Sequence, residues 1–242
     1  MAHEMNRKPK LEVCLSPALL HLYDLSGATV VIVDVLRATS TICTALYNGA
    51  ARVIPVDTVE KCISLGLELN ALTAGERDGK IVPGLQRGNS PFEYSREAIA
   101  GKSLVLTTTN GTRLLHMARN AADIITGSFP NLTAVCDYLV SGNRHVVIAC
   151  AAWKNRVNME DVLFAGAVIN RIRDRLDIAC DSAIIAESLY LQAKGNIFNF
   201  LKNAAHFKRL TGYGLEKDIV YCLTQDIAGT LPVYRNGELV SA

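Results

Sequence analysis

The chain alternates short runs rich in β-branched residues with runs whose apolar positions recur every three or four residues. A short continuous apolar run reads as a strand buried on both faces, and the longer period reads as a helix laid over it. Strands are predicted at 29–35, 52–56, 103–107, 123–126 and 144–150, with helices near 39–48, 58–70, 112–119 and 131–139. Each helix is a candidate right-handed crossover between parallel strands. The pattern then changes. Residues 159–225 are helical in period, broken near 174–181 and around Gly195, Thr211 and Gly214, and a short strand closes the chain at 231–234. The expected fold class is therefore α/β: a mostly parallel or mixed sheet, helices on both faces and a helix-rich C-terminal part. It would form one domain over 1–242, or two subdomains at about 11–157 and 158–242.

Residues 75–91 fit no regular period. Structureless stretches of this length are uncommon inside compact domains and are usually functional or disordered. This one carries Glu76, Arg77, Asp78, Arg87, Asn89 and Ser90 among four glycines, a mixture suited to metal, phosphate and acid-group contacts, although any single charge here can be merely solvated. Three strand-then-polar-turn units recur, VVIVDVLRATS, LVLTTTNGT and VVIACAAWKN, which is compatible with a weak internal duplication.

Ligands bind at the carboxyl ends of strands in open α/β sheets, so each unit is a candidate site. In the first, Asp34 can hold a hard cation, Arg37 can fork onto phosphate or carboxylate oxygens, and Thr39 and Ser40 present donors at a helix start; the competing reading is a helix cap with a surface ion pair. In the second, Thr108, Thr109, Asn110, Gly111 and Thr112 precede apolar residues at helical spacing, so Asn110-Gly111 opens a helix and either cradles an anion or simply caps it. In the third, Lys154 precedes Glu160 and Asp161, which are either metal ligands facing Asp34 or first-turn acids behind an Asn158 cap. Cys150 and Arg156 match the spacing of cysteine-dependent phosphatases, but no His precedes Cys150 and the intervening turn lacks glycine, which favours a buried apolar role for the thiol.

Composition narrows the partners. With 25 Lys and Arg against 23 Asp and Glu in 242 residues, the chain has no broad basic field for nucleic acid, and a small molecule is expected instead. The seven cysteines are odd in number and include no Cys-x-x-Cys pair, which points to a reducing cytoplasm. No apolar run suits a signal peptide or a membrane span. The five histidines show no metal spacing and read as surface or capping residues. A homo-oligomer is compatible with all of this.

Taken together, VVIVDVLRATSTI, the GERDGK and GNSP segments, TTTNGT, CAAWKNRVNMEDVLFAGA, and GLEKDIVYCLTQD with PVY resemble the 2-phosphosulfolactate phosphatase family from about Val30 to Tyr234. The resemblance implies a three-layer α/β/α fold and Mg²⁺-dependent hydrolysis of a phosphate monoester on a small sulfonated acid, a step of coenzyme M synthesis. It carries over to Asp34, Arg37, Glu76, Arg77, Asn89, Ser90, Thr108, Asn110, Thr112, Lys154, Glu160 and Asp161. Ala152 and Asn155 depart from it, standing where similar sequences often have glycine. The expected mechanism places Mg²⁺ on Asp34 with Glu76 or Asp161. Arg37 and Lys154 then neutralise the phosphate, water or Asp34 attacks, and Arg77 and Arg87 hold the other acid groups. The rivals are an aspartyl-phosphate enzyme, for which Leu36 stands in place of the second acid, a Cys150 nucleophile, and a non-catalytic anion-binding protein.

Overall fold

The computed structural model describes residues 8–77, 79–108 and 111–242. Its strands are β1 (Lys10–Cys14), β2 (Thr29–Val33), β3 (Arg52–Val56), β4 (Leu72–Arg77), β5 (Lys80–Ile81), β6 (Ser103–Thr107), β7 (Asp123–Gly127), β8 (Val146–Cys150), β9 (Asp177–Ile178), β10 (Pro232–Arg235) and β11 (Glu238–Ser241). The helices are α1 (Ala38–Tyr47), α2 (Val59–Glu68), α3 (Arg96–Ile99), α4 (Gly111–Met117), α5 (Leu132–Gly142), α6 (Met159–Ile172), α7 (Asp181–Ala193), α8 (Ile197–Leu201), α9 (Ala205–Gly212) and α10 (Glu216–Leu223).

One mixed sheet runs β5-β4-β6-β3-β11-β10-β7-β2-β8-β1-β9. It contains two parallel blocks, β4-β6-β3 and β7-β2-β8-β1-β9, joined by the antiparallel hairpin β10–β11. The hairpin turns at Asn236-Gly237, both at positive φ (52° and 90°), the geometry that a two-residue type I′ turn requires. Helices cover both faces, so the fold is three-layered. Alternation along β2 shows why: Val31 and Val33 pack into the core beneath α5, α6 and α7, while Val30 and Ile32 pack into the core that holds α1 and α4.

Helix α1 is itself core. Nine of its ten residues are buried, and its polar ones are small enough to satisfy themselves locally. Ser40 Oγ donates to the Val35 carbonyl, Thr44 Oγ1 to Ser40, and Thr41 Oγ1 to Asn89, each at 2.8–3.0 Å. On the other face α6 and α7 approach so closely at Gly166 that a Cβ there would overlap the Ala186 carbonyl.

The five strands predicted from periodicity are present, two of them shorter by two residues at one end, and the predicted closing strand is present as β10. β1, β4, β5, β9 and β11 are additional. The segment 75–91 departs most from expectation: its start is a hairpin, with Glu76 opposite Ile81 and Arg77 opposite Lys80, and Arg87 and Gly75 then bond through their backbones. Gly166→Ala should cost about 1–3 kcal/mol of stability by urea denaturation, because backbone cannot yield as a flexible side chain does. A loss below about 0.5 kcal/mol would show that α7 shifts freely.

Candidate active site

The turn after β2 carries the central charges. Asp34 is half-buried, and the Ala38 N–H at the start of α1 reaches its carboxylate. Burial raises its pKa to about 6, with Glu160 and Glu76 adding to the rise while His206 and the Ala38 N–H oppose it. Arg37 lies inside the protein and donates from Nη1 to Asp218 Oδ2 of α10 at 2.5 Å, with the two side chains only 4 % and 7 % exposed. The Leu36–Arg37 peptide is cis.

The first turn of α6 brings two acids to the same place. Asp161 is buried; Oδ1 accepts from the Val35 N–H at 2.9 Å and Oδ2 from the Ala152 N–H at 3.4 Å, so this carboxyl ties the turn after β2 to the turn after β8. Burial, then Glu160 and Asp34, push its pKa well above the carboxylate range. Glu160 Oε1 lies 2.5 Å from His206 Nδ1 of α9, while Glu160 Oε2 is buried without a partner among the described residues. Asn158 occupies the N-cap position of α6 but makes no capping bond there; its amide instead lies 3.3 Å from His206 Nδ1.

These turns open into a cavity of about 240 Å³. Asp34, Arg37, Glu76, Arg77, Asn89, Thr108 and Lys154 line it, as do Leu36, Gly79, Trp153, Asn158, His206, Arg209, Leu210 and Tyr213. The segment after β4 thus lies beside the strand ends. Gly79, at φ 75°, sits so close to Tyr213 that a Cβ would lie 2.7 Å from the ring, which seats the β4–β5 turn against the end of α9.

Other sequence-proposed residues lie elsewhere or are engaged. Thr39 Oγ1 donates to the Gly127 carbonyl at 2.8 Å and Ser40 Oγ to Val35, so both hydroxyls are used inside the fold. Arg87 does not line the cavity, and the Ser90 N–H donates to Glu93 Oε1 in a local cap. Thr112 is buried, with its N–H and hydroxyl directed to Thr108 Oγ1. At Gly111 a Cβ would lie 3.8 Å from Asp34 Oδ2, which places the start of α4 near that carboxylate. Thr109 and Asn110, and Asp78 with them, lie outside the described residues. Cys150 is fully buried, and burial raises its pKa well above the thiol range, opposite to what a thiolate nucleophile needs.

Sequence reading missed His206, Arg209, Tyr213 and Asp218. All four come from the C-terminal helices or their connections, and His206, expected at the surface, is 10 % exposed against Glu160. Asp218 had one available signal: a charged residue on a helix face that is otherwise buried, beside Ile219 and Cys222.

Acids, paired cations and hydroxyls around one strand-end cavity define a site for a small, multiply charged anion. The family profile described as 2-phosphosulpholactate phosphatase matches residues 14–237, and the chain belongs to that family. Similar proteins named probable 2-phosphosulfolactate phosphatase occur in Thermotoga petrophila (43 % identity, covering 88 % of this chain and 91 % of that one) and Clostridium acetobutylicum (38 % identity, covering 96 % and 100 %). Another, in Caldanaerobacter subterraneus, is 38 % identical over 88 % of this chain and 90 % of its own.

Asp34 keeps its proton to about pH 6 when folded but only to about pH 4 when unfolded. Between those values the folded state binds more protons, so stability contributed at low pH is lost as pH rises through about 6. In chelator, Asp34→Asn should raise Tm at pH 7 relative to wild type and narrow the gap at pH 4; equal gaps at both would show that the carboxyl is not strained. Asp218→Ala, which leaves Arg37 buried and unpaired, should cost about 3–5 kcal/mol by denaturant unfolding. A loss under about 1 kcal/mol would mean that solvent reaches Arg37.

Proposed function

We propose that this protein hydrolyses the phosphate ester of 2-phosphosulfolactate, releasing sulfolactate and phosphate, with Mg²⁺ as cofactor. The observation that carries the reading is one cavity where Asp34 and Glu76 stand among Arg37, Lys154, Arg209 and Thr108 at the strand ends. The names of the relatives support the substrate.

The donors fit a hard cation. Asp34 and Glu76 line the cavity, Glu160 and Glu76 both raise the pKa of Asp34, and the buried Glu160 Oε2 has no partner among the described residues. No group of three His, Cys, Asp or Glu side chains forms a ready metal site among those residues, which suits an ion that takes one or two carboxylates and completes its shell with water and phosphate oxygens. Asp34 would hold it with either Glu76 or the free oxygen of Glu160; Asp161 has both oxygens committed to backbone N–H groups. When bound, Mg²⁺ supplies charge neutralisation at the phosphoryl oxygens.

The chain's own groups do the rest. Lys154 and the Thr108 hydroxyl orient phosphoryl oxygens, and Arg37, fixed by Asp218, faces them with its remaining N–H groups. A water molecule at Asp34 gives a proton to that carboxylate as its oxygen bonds to phosphorus and the ester P–O bond breaks, and the departing oxygen takes a proton from His206 Nε2. Glu160 holds the opposite ring nitrogen and so orients that proton. Leu36 lines the cavity where an aspartyl-phosphate enzyme would carry its acid, which favours water over Asp34 as the attacking group. The free cysteines support placing this chemistry in a reducing cytoplasm.

Phosphate release from 2-phosphosulfolactate should vanish in EDTA and return with Mg²⁺. Asp34→Asn should lower kcat by at least about 10²-fold, and Cys150→Ser should retain most turnover. Full activity in chelator, or inactivity of the Cys150 variant with an unchanged melt, would reverse the assignment. Tight sulfolactate binding with no turnover in any metal would make the protein a binding module.

A further inference from the structure

Charges along the cavity do not balance evenly. Arg37 is matched by Asp218, His206 by Glu160, and Arg77 Nη1 donates to the Glu76 carbonyl on its own strand. Lys154 and Arg209 are different. Both line the cavity, and neither has an ion-pair or side-chain hydrogen-bond partner among the described residues. Both instead lie over one indole: Lys154 Nζ is 4.6 Å and Arg209 Cζ 4.0 Å from the centroid of the Trp153 ring. Such stacking holds two flexible cations in place while leaving their N–H groups free, which lowers the entropy lost when an anion binds.

We infer that Arg209, stacked on Trp153 beside Lys154, is a specificity residue that binds the acid group the substrate carries in addition to its phosphate. This rests on the phosphatase reading above and moves the acid-group contact from Arg77 and Arg87 to α9. Three observations converge on it: two lining cations without acidic partners among the described residues, an aromatic surface that orders them, and the carboxylates Asp34 and Glu76 available to a cation in the same cavity. A guanidinium presents paired N–H donors that match two oxygens of a sulfonate or carboxylate, a fit that Lys cannot reproduce. Because Lys154 also serves the phosphate, the residue that distinguishes substrates is Arg209. Arg209 is half-buried and stacked at the cavity wall.

Trp153 is the chain's one tryptophan, so its fluorescence reports this subsite without turnover or metal. Sulfolactate titrated into the protein in EDTA should change the emission saturably, and Arg209→Gln should weaken that affinity at least about tenfold. Arg209→Lys should recover only part of it. With Mg²⁺ present, Arg209→Gln should raise KM for 2-phosphosulfolactate at least about tenfold. Its KM for p-nitrophenyl phosphate, which has no second acid group, should change less than about threefold. 2-Phospholactate separates the two acid groups: a penalty equal to that on 2-phosphosulfolactate assigns Arg209 to the carboxylate, and a smaller one to the sulfonate. Equal losses on p-nitrophenyl phosphate and 2-phosphosulfolactate would overturn the inference by making Arg209 a phosphate ligand, and sulfolactate affinity within twofold of wild type would overturn it outright. Sulfolactate binding in EDTA is independent of catalysis, so it stands or falls separately from the hydrolytic reading.

Discussion

Burial of charge at the carboxyl ends of β2 and β8 is the constraint around which this fold is arranged. An ionised carboxyl or guanidinium withdrawn from water needs a partner of its own, because the desolvation cost reaches several kcal/mol per ion. Here each buried charge has one. Arg37 has Asp218, Glu160 has His206, and Asp161 receives two backbone N–H groups. Burial raises the pKa of both Asp34 and Asp161, and of the two only Asp34 lines the cavity. A carboxylate short of compensating charge that faces a cavity is suited to receive a cation or to handle a proton.

The partners come from far along the chain, and that explains the place of the C-terminal helices. Arg37 and Asp218 are 181 residues apart, and Glu160 and His206 are 46 apart. Helices α9 and α10 therefore do more than cover a face of the sheet. They complete the electrostatics of a site whose acids lie in the turn after β2 and on α6, and they wall the cavity with His206, Arg209 and Tyr213. The β10–β11 hairpin then returns the chain into the sheet between the two parallel blocks, next to β7 and β3. Core packing and site assembly are one cooperative arrangement, because the segment that supplies Asp218 also contributes Ile219 and Cys222 to the main core.

Periodicity made the central sheet legible because β2, β6 and β8 are buried on both faces and read as continuous apolar runs. It failed for β4 and β5, where Gly75 and a charged end mask the strand, and for β11, although Asn236-Gly237 carried a hairpin signal. In the site, residues at strand ends were legible because topology alone sends them to one edge of the sheet. Thr39 and Ser40 share that location, yet their hydroxyls serve the backbone, a distinction that depends on which way α1 enters. His206 and Arg209 were not legible. Their role depends on how α9 packs, and no local pattern encodes an angle between helices.

The turn after β8 shows how backbone geometry converts this packing into an oriented site. Ala152, Lys154 and Asn155 all adopt left-handed φ, at 57°, 52° and 62°, and none is glycine. For Ala and Lys that conformation costs about 1 kcal/mol or more each, so surrounding bonds must hold it. Asp161 takes the Ala152 N–H, Trp153 and Arg156 bond each other's backbone, Ser16 Oγ donates to the Asn155 carbonyl, and Arg113 donates to the Asn155 amide oxygen. Glycines at Ala152 and Asn155 would adopt the turn without strain but would leave it free to adopt others. With Ala and Asn the turn is held by its partners instead, and those partners fix where Trp153 and Lys154 project. The residue that clamps this turn, Asp161, is adjacent to the carboxylate that holds His206, so one turn of α6 positions both the cationic and the proton-bearing sides of the cavity.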